Sequence, residues 1–119
     1  MPVIQEISSD GKHVLINIKG RFDYKVSQDF RDAYRNISAH DSVTYHVNLS
    51  ETDFMDSSAL GMLLLLREHA KCRSGKVIIS CPSQEVDKIL RVANFEQLFE
   101  IVITPLVTVG GGYEHSSRA

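Results

Sequence analysis

The residues with the most chemical content in this chain form one run, Asp53-Phe54-Met55-Asp56-Ser57-Ser58-Ala59-Leu60-Gly61, which leads straight into Met62-Leu63-Leu64-Leu65-Leu66-Arg67. A strand-like segment arrives before it and an apolar helical run leaves it, so Asp56, Ser57 and Ser58 fall at a helix start. The first backbone N–H groups of a helix lack intrahelical partners, and short oxygen-bearing side chains cap them. A hydroxyl at a helix mouth is also a favourable place for a phosphate, because free amides and the positive end of the helix dipole attract an anion. Capping and phosphate carrying are both open on local chemistry. The two serines are adjacent, and side-chain chemistry does not separate them.

Nucleophilic catalysis would need more apparatus than this. A serine hydrolase requires a base within hydrogen-bond reach and donors for an oxyanion. The elbow Gly-x-Ser-x-Gly is missing, since the chain reads Met55-Asp56-Ser57-Ser58-Ala59. The histidines at 13, 40, 46, 69 and 115 follow no motif. His69 lies about 18 Å down the same helix at 1.5 Å per residue. His46 reads as a strand side chain on the less buried face. The only glycine cluster, Gly110 to Gly112, belongs to the tail, so no glycine-rich loop cradles a phosphate. The chain reads as non-enzymatic, with no catalytic residue, no metal and no cofactor.

The hexapeptide Asp56-Ser57-Ser58-Ala59-Leu60-Gly61, preceded by Phe54-Met55, resembles the signature of the STAS domain, in particular of single-domain anti-sigma factor antagonists (anti-anti-sigma factors). The resemblance implies that Ser57 is the phosphoacceptor of a partner kinase, with Ser58 as the alternative, and that Asp56 is the acidic residue before it. Ala59 stands where the family usually has Gly. Alanine is the better helix former, so this departure should stiffen the first turn and keep the site. Family members often carry a segment similar to Gly20-Arg21-Phe22-Asp23 near the phosphoacceptor, which brings Asp23 in as a partner contact. The partner surface implied is Asp23, Asp56, Ser57, Ser58, Ala59, Leu60 and Met62.

The implied partners are an anti-sigma factor with serine kinase activity and a serine phosphatase. The unphosphorylated form would bind the anti-sigma factor and so regulate transcription. The electrostatics fit such a switch. A phosphate adds roughly 1.5 to 2 negative charges beside Asp56 and near Asp53, and the helix dipole offsets about 0.3–1 kcal/mol of the repulsion. A partner packed over the helix mouth would have to bury a dianion. A penalty of a few kcal/mol weakens binding by about two orders of magnitude or more. Two alternatives share the resemblance: a STAS docking module without a phosphorylation cycle, and a phospho-switch whose output is a biofilm, motility or cyclic-dinucleotide protein.

The whole chain is consistent with a small binding protein. Its 119 residues allow one core, and 43% hydrophobic content is enough to fill it. A net charge of −2 with scattered Lys and Arg argues against nucleic acid as a partner. No secretory pattern opens the chain, and no apolar run approaches the roughly 18 residues of a membrane span. The expectation is a cytoplasmic protein, off the membrane, monomeric or weakly dimeric. Cys72 and Cys81 lack partners at zinc spacing and read as free thiols.

The elements that must position the helix mouth follow from periodicity. Residues 3–8 and 12–19 read as a hairpin turned by Ser9-Asp10-Gly11. Gly20 ends that strand and Asp23 begins a helix striped by Val26, Phe30, Ala33, Tyr34 and Ile37. Residues 43–49 alternate as a third strand, followed by a loop over 50–56. The helix over 57–71 is apolar nearly all round, so it is either packed on both flanks or keeps a docking face beside Ser57. Ser74-Gly75 closes it and 76–80 form a fourth, central parallel strand. Pro82-Ser83 opens a third helix with Val86, Ile89, Leu90 and Ala93 inward, and 101–103 is a fifth strand. Past Pro105 the pattern thins to a brief turn at 106–109 and a glycine-rich tail. The order predicts an α/β, STAS-like mixed sheet of about five strands with helices mainly on one side. The domain would span 1–105, and 106–119 would be a flexible tail.

Overall fold

The structure, a computed structural model, describes residues 2–35, 42–103, 106–109 and 112–115. The five-stranded mixed sheet is present. Strands β1 (Val3–Ile7), β2 (His13–Ile18), β4 (Thr44–Asn48), β6 (Lys76–Ser80) and β7 (Glu100–Val102) lie side by side in that order; β3 (Gly20–Phe22) and β5 (Thr52–Met55) stand apart. β1 runs antiparallel to β2, and the remaining neighbours are parallel. Antiparallel β1 follows from the short Ser9-Asp10-Gly11 connection, and each parallel pair follows from a crossover through a helix.

Alternation decides which side each strand residue covers. Val14, Ile16 and Ile18 of β2, Tyr45 and Val47 of β4, and Val77 and Ile79 of β6 enter the core cluster. The same cluster takes Phe30 and Ala33 from α1 (Ser27–Arg35), Leu63 and Leu66 from α2 (Ser57–Lys71), and Val86 and Leu90 from α3 (Gln84–Val92). All three helices therefore serve one face of the sheet. Ile37, expected in the stripe of α1, lies outside the described residues. His46 belongs to the other alternation set, as expected, but it is only 2% exposed. Its ring stacks on that of His13, with centroids 5.2 Å apart and Nδ1 of His13 3.0 Å from Nε2 of His46.

Two expectations change. The segment 50–56 is not simply a loop. Residues Thr52–Met55 form β5, which pairs in parallel with β3 (Gly20–Phe22) as a separate two-stranded ribbon. Gly20, at φ +83°, turns the chain out of the main sheet into this ribbon. Its N–H donates to the Glu51 carbonyl at 2.8 Å, and the Thr52 hydroxyl donates to the Ile18 carbonyl at 2.8 Å. Where a brief turn and tail were expected, the backbone forms an antiparallel ribbon of β8 (Leu106–Val109) and β9 (Gly112–His115).

The helix that carries the two serines is buried along one side only. Ala59, Met62, Leu63, Leu66 and Ala70 face inward, while Leu64 and Leu65 are 38% and 56% exposed. Its apolar girth is thus not matched by two covered flanks. At its end, Ser74 takes the left-handed conformation at φ 58°, and Gly75 returns its N–H to the Ala70 carbonyl at 2.8 Å. Gly75 is needed for space, because a Cβ there would collide with the Val43 carbonyl. Among the described residues no helix is long and apolar enough to cross a membrane.

Candidate functional site

The helix mouth sits where the main sheet hands the chain to the small ribbon. Phe22 ends β3 and its carbonyl accepts from the Asp56 N–H at 3.3 Å. This bond brings the Asp23 turn and the start of α2 together, although 33 positions separate the two aspartates in sequence. Asp23 itself is 6% exposed. Its Oδ1 accepts from the Lys25 N–H at 3.0 Å, which caps the short 3₁₀ turn Tyr24–Val26, and its Oδ2 lies 3.4 Å from Arg21 Nε.

Asp56 is the N-cap of α2, with extended backbone and Oδ1 accepting from the Ala59 N–H at 3.1 Å. The same oxygen accepts from the Ser58 hydroxyl at 2.5 Å. Together the Ser58 hydroxyl and the Ala59 and Ser58 amides hold the Asp56 carboxyl below the usual carboxylate range, the hydroxyl contributing most. Ser58 is half-buried in this arrangement. Ser57, the first residue of α2, is exposed, and its hydroxyl has no hydrogen-bond partner among the described residues. No base reaches it among them.

The expected partner-facing residues separate by burial. Ser57 is exposed, Asp56, Ser58 and Leu60 are half-buried, and Asp23, Ala59 and Met62 are buried. The last three are therefore not on the surface. Exposed residues that sequence reasoning passed over stand nearby. Phe54 on β5 is 39% exposed, and the Arg21 guanidinium lies 4.1 Å from its ring centroid. Below Leu60, an apolar recess of about 350 Å³ runs between α2 and α3, lined by Leu60, Lys88, Ile89, Val92 and Ala93. Val92 is 79% exposed. The signal for Val92 was present in the sequence, as an apolar residue off the inward stripe of α3. The Arg21–Phe54 pair left no such trace, because it depends on the parallel pairing of β3 with β5.

Residues 6–107 match the protein family described as "Mlab, STAS domain". A STAS-domain containing protein of Pseudomonas aeruginosa is 49% identical over 94 residues, which cover 79% of this chain and 92% of that protein. Among solved structures, an anti-sigma-factor antagonist (STAS) domain protein from Planctomyces limnophilus superposes with a TM-score of 0.73 at 13% identity, over 87% of this chain and 91% of the other. The anti-sigma factor antagonist SpoIIAA in its unphosphorylated form superposes with a TM-score of 0.63 at 20% identity, over 87% and 88% of the two chains. These structural likenesses speak for the fold.

Proposed function

Because this chain belongs to the STAS domain family, we propose that it works as an anti-sigma factor antagonist-type phospho-switch, read and reset at Ser57. The observation that carries this reading is the contrast at the helix mouth. Ser57 is exposed and its hydroxyl has no partner among the described residues, whereas Ser58 donates its hydroxyl to the Asp56 carboxylate. A kinase needs an accessible oxygen, and Ser57 offers it at the point where backbone amides tolerate a phosphate.

The unphosphorylated protein binds its partner over the helix mouth and the apolar recess beside Leu60. That partner is an anti-sigma factor or serine kinase, and a serine phosphatase restores the binding form. Phosphorylation adds a dianion next to Asp56, which is already held ionised. The protein is non-enzymatic in this scheme and acts by occupying its partner. Asp23, Ala59 and Met62 hold the loop and helix in place, while Ser57, Asp56 and Leu60 meet the partner. SpoIIAA, an anti-sigma factor antagonist solved in its unphosphorylated form, shares this fold, which supports reading a phosphorylation cycle here.

The exposed recess favours a second reading, a docking module that binds through Leu60, Ile89 and Val92 with no phosphate cycle. One experiment separates them. Peptide mass spectrometry on the protein purified from its own host, wild type against Ser57→Ala, should find a phosphate localised to Ser57 that is lost in the variant. A phosphate on Ser58 would move the site. No phosphate under any growth condition would leave the docking module.

A further inference from the structure

A second recess lies near the far end of α2. It has a volume of about 370 Å³ and is lined by Arg31, Tyr34, Arg35, Leu65 and His69. This size is in the range of small-molecule sites. Leu65 and His69 are eight and twelve residues along α2 from Ser57, or about 12 and 18 Å at 1.5 Å per residue. The recess therefore does not belong to the helix mouth.

Its charge is one-sided. Arg31 and Arg35 stand one helical turn apart on α1, and neither forms an ion pair among the described residues. Like charges at this spacing repel, and the lining contains no carboxylate among the described residues to offset them. Arg73, after the end of α2, adds its field to Arg35's on His69.

Buried polar atoms beside the recess are also unaccounted for. Nε2 of His69 and the hydroxyl of Tyr45 are both buried with no hydrogen-bond partner among the described residues. Tyr45 is 1% exposed. The His69 ring stands between the two tyrosines, with its centroid 4.9 Å from that of Tyr34 and 5.9 Å from that of Tyr45. Buried polar groups are nearly always satisfied, so orphans beside unpaired cations point to a missing polar partner, direct or bridged by water.

We propose that this recess binds a small organic phosphate monoester, with its phosphate between Arg31 and Arg35 and its apolar body against Leu65 and Tyr34. Guanidinium forks match phosphate oxygens two at a time, and two of them suit a dianion better than a single carboxylate. Leu65, 56% exposed on an otherwise cationic rim, gives the apolar body its contact. Burial and the fields of Arg73 and Arg35 keep the His69 imidazole below its ordinary basicity, and a bound dianion would reverse part of that effect.

Phenyl phosphate is the probe, titrated into the full chain while the His69 ring protons are followed by NMR. The expected result is a saturable shift, with affinity at least tenfold tighter than for inorganic phosphate or phenol alone. The Arg31→Gln/Arg35→Gln double variant should lose at least tenfold, and the His69 pKa should rise on saturation. Ser57→Ala should bind unchanged, which keeps this test separate from the phospho-switch. The proposal is overturned by the absence of a saturable shift at millimolar phenyl phosphate. Affinity that survives the double substitution, or inorganic phosphate binding as tightly as phenyl phosphate, would overturn it too.

Discussion

The Ser58 hydroxyl donates to Asp56 Oδ1 across 2.5 Å, and this bond separates two serines that are otherwise equivalent neighbours. Ser58 is spent on the helix cap, and Ser57 is left exposed one residue earlier. Ser57→Ala should therefore abolish phosphorylation and leave the protein permanently able to bind its partner. Ser57→Asp should lower partner affinity by tenfold or more, through the cost of facing an interface with an unmatched charge. Isothermal titration with the partner measures both, and equal affinities for the two variants would remove the switch.

The cap makes its own prediction. Asp56 titrates below the usual carboxylate range chiefly because of the Ser58 hydroxyl. Ser58→Ala should raise the Asp56 pKa in a carboxyl-detected NMR titration. The sign for stability follows: a depressed folded-state pKa stabilises above the unfolded value near 3.8 and loses that contribution as pH falls through the folded one. Ser58→Ala should thus narrow the acid dependence of the melting temperature.

Asp23 caps the Tyr24–Val26 turn from a buried position. Asp23→Ala should cost about 0.5–2 kcal/mol, in the range of lost helix caps. Urea denaturation gives the number. Asp23→Asn, which keeps an acceptor oxygen, should recover most of it.

Gly75→Ala should destabilise by about 1–3 kcal/mol, as overpacking does. The added methyl would press on the Val43 carbonyl, which accepts from the Lys76 N–H at 3.2 Å. A melting temperature unchanged from wild type would show that this edge yields freely.

His69 carries a pH signature. Burial first, then Arg73 and Arg35, depress its pKa below 6.5. The folded state then binds fewer protons than the unfolded chain as pH falls below 6.5, so stability declines in that window. His69→Phe removes the titrating group and one orphan polar atom. Its melting temperature should fall less than that of wild type between pH 7 and pH 5, and an identical fall in both proteins would refute the assignment.

Much of this was written in local pattern. Alternation in residues 12–19 and 43–49, the β-branched apolar run over 76–80 and the turn at Ser9-Asp10-Gly11 determined these strands of the main sheet and the antiparallel edge. Helical spacing and the caps Asp56 and Ser83 determined where α2 and α3 begin, and both caps are occupied as their residue types require. The Asp-Ser-Ser run marked the site because capping chemistry needs only its own neighbours. The remainder depended on residues far apart in the chain. The β3–β5 ribbon is short, lacks a periodic signature, and exists because Gly20 and Thr52 find partners across some 30 residues. Only the packed fold could bury Asp23, Ala59 and Met62 while leaving Leu65 outside, because burial depends on what lies opposite a side chain. Which of the two serines turns its hydroxyl to Asp56 is likewise a direction taken in the folded turn, which residue types alone do not encode.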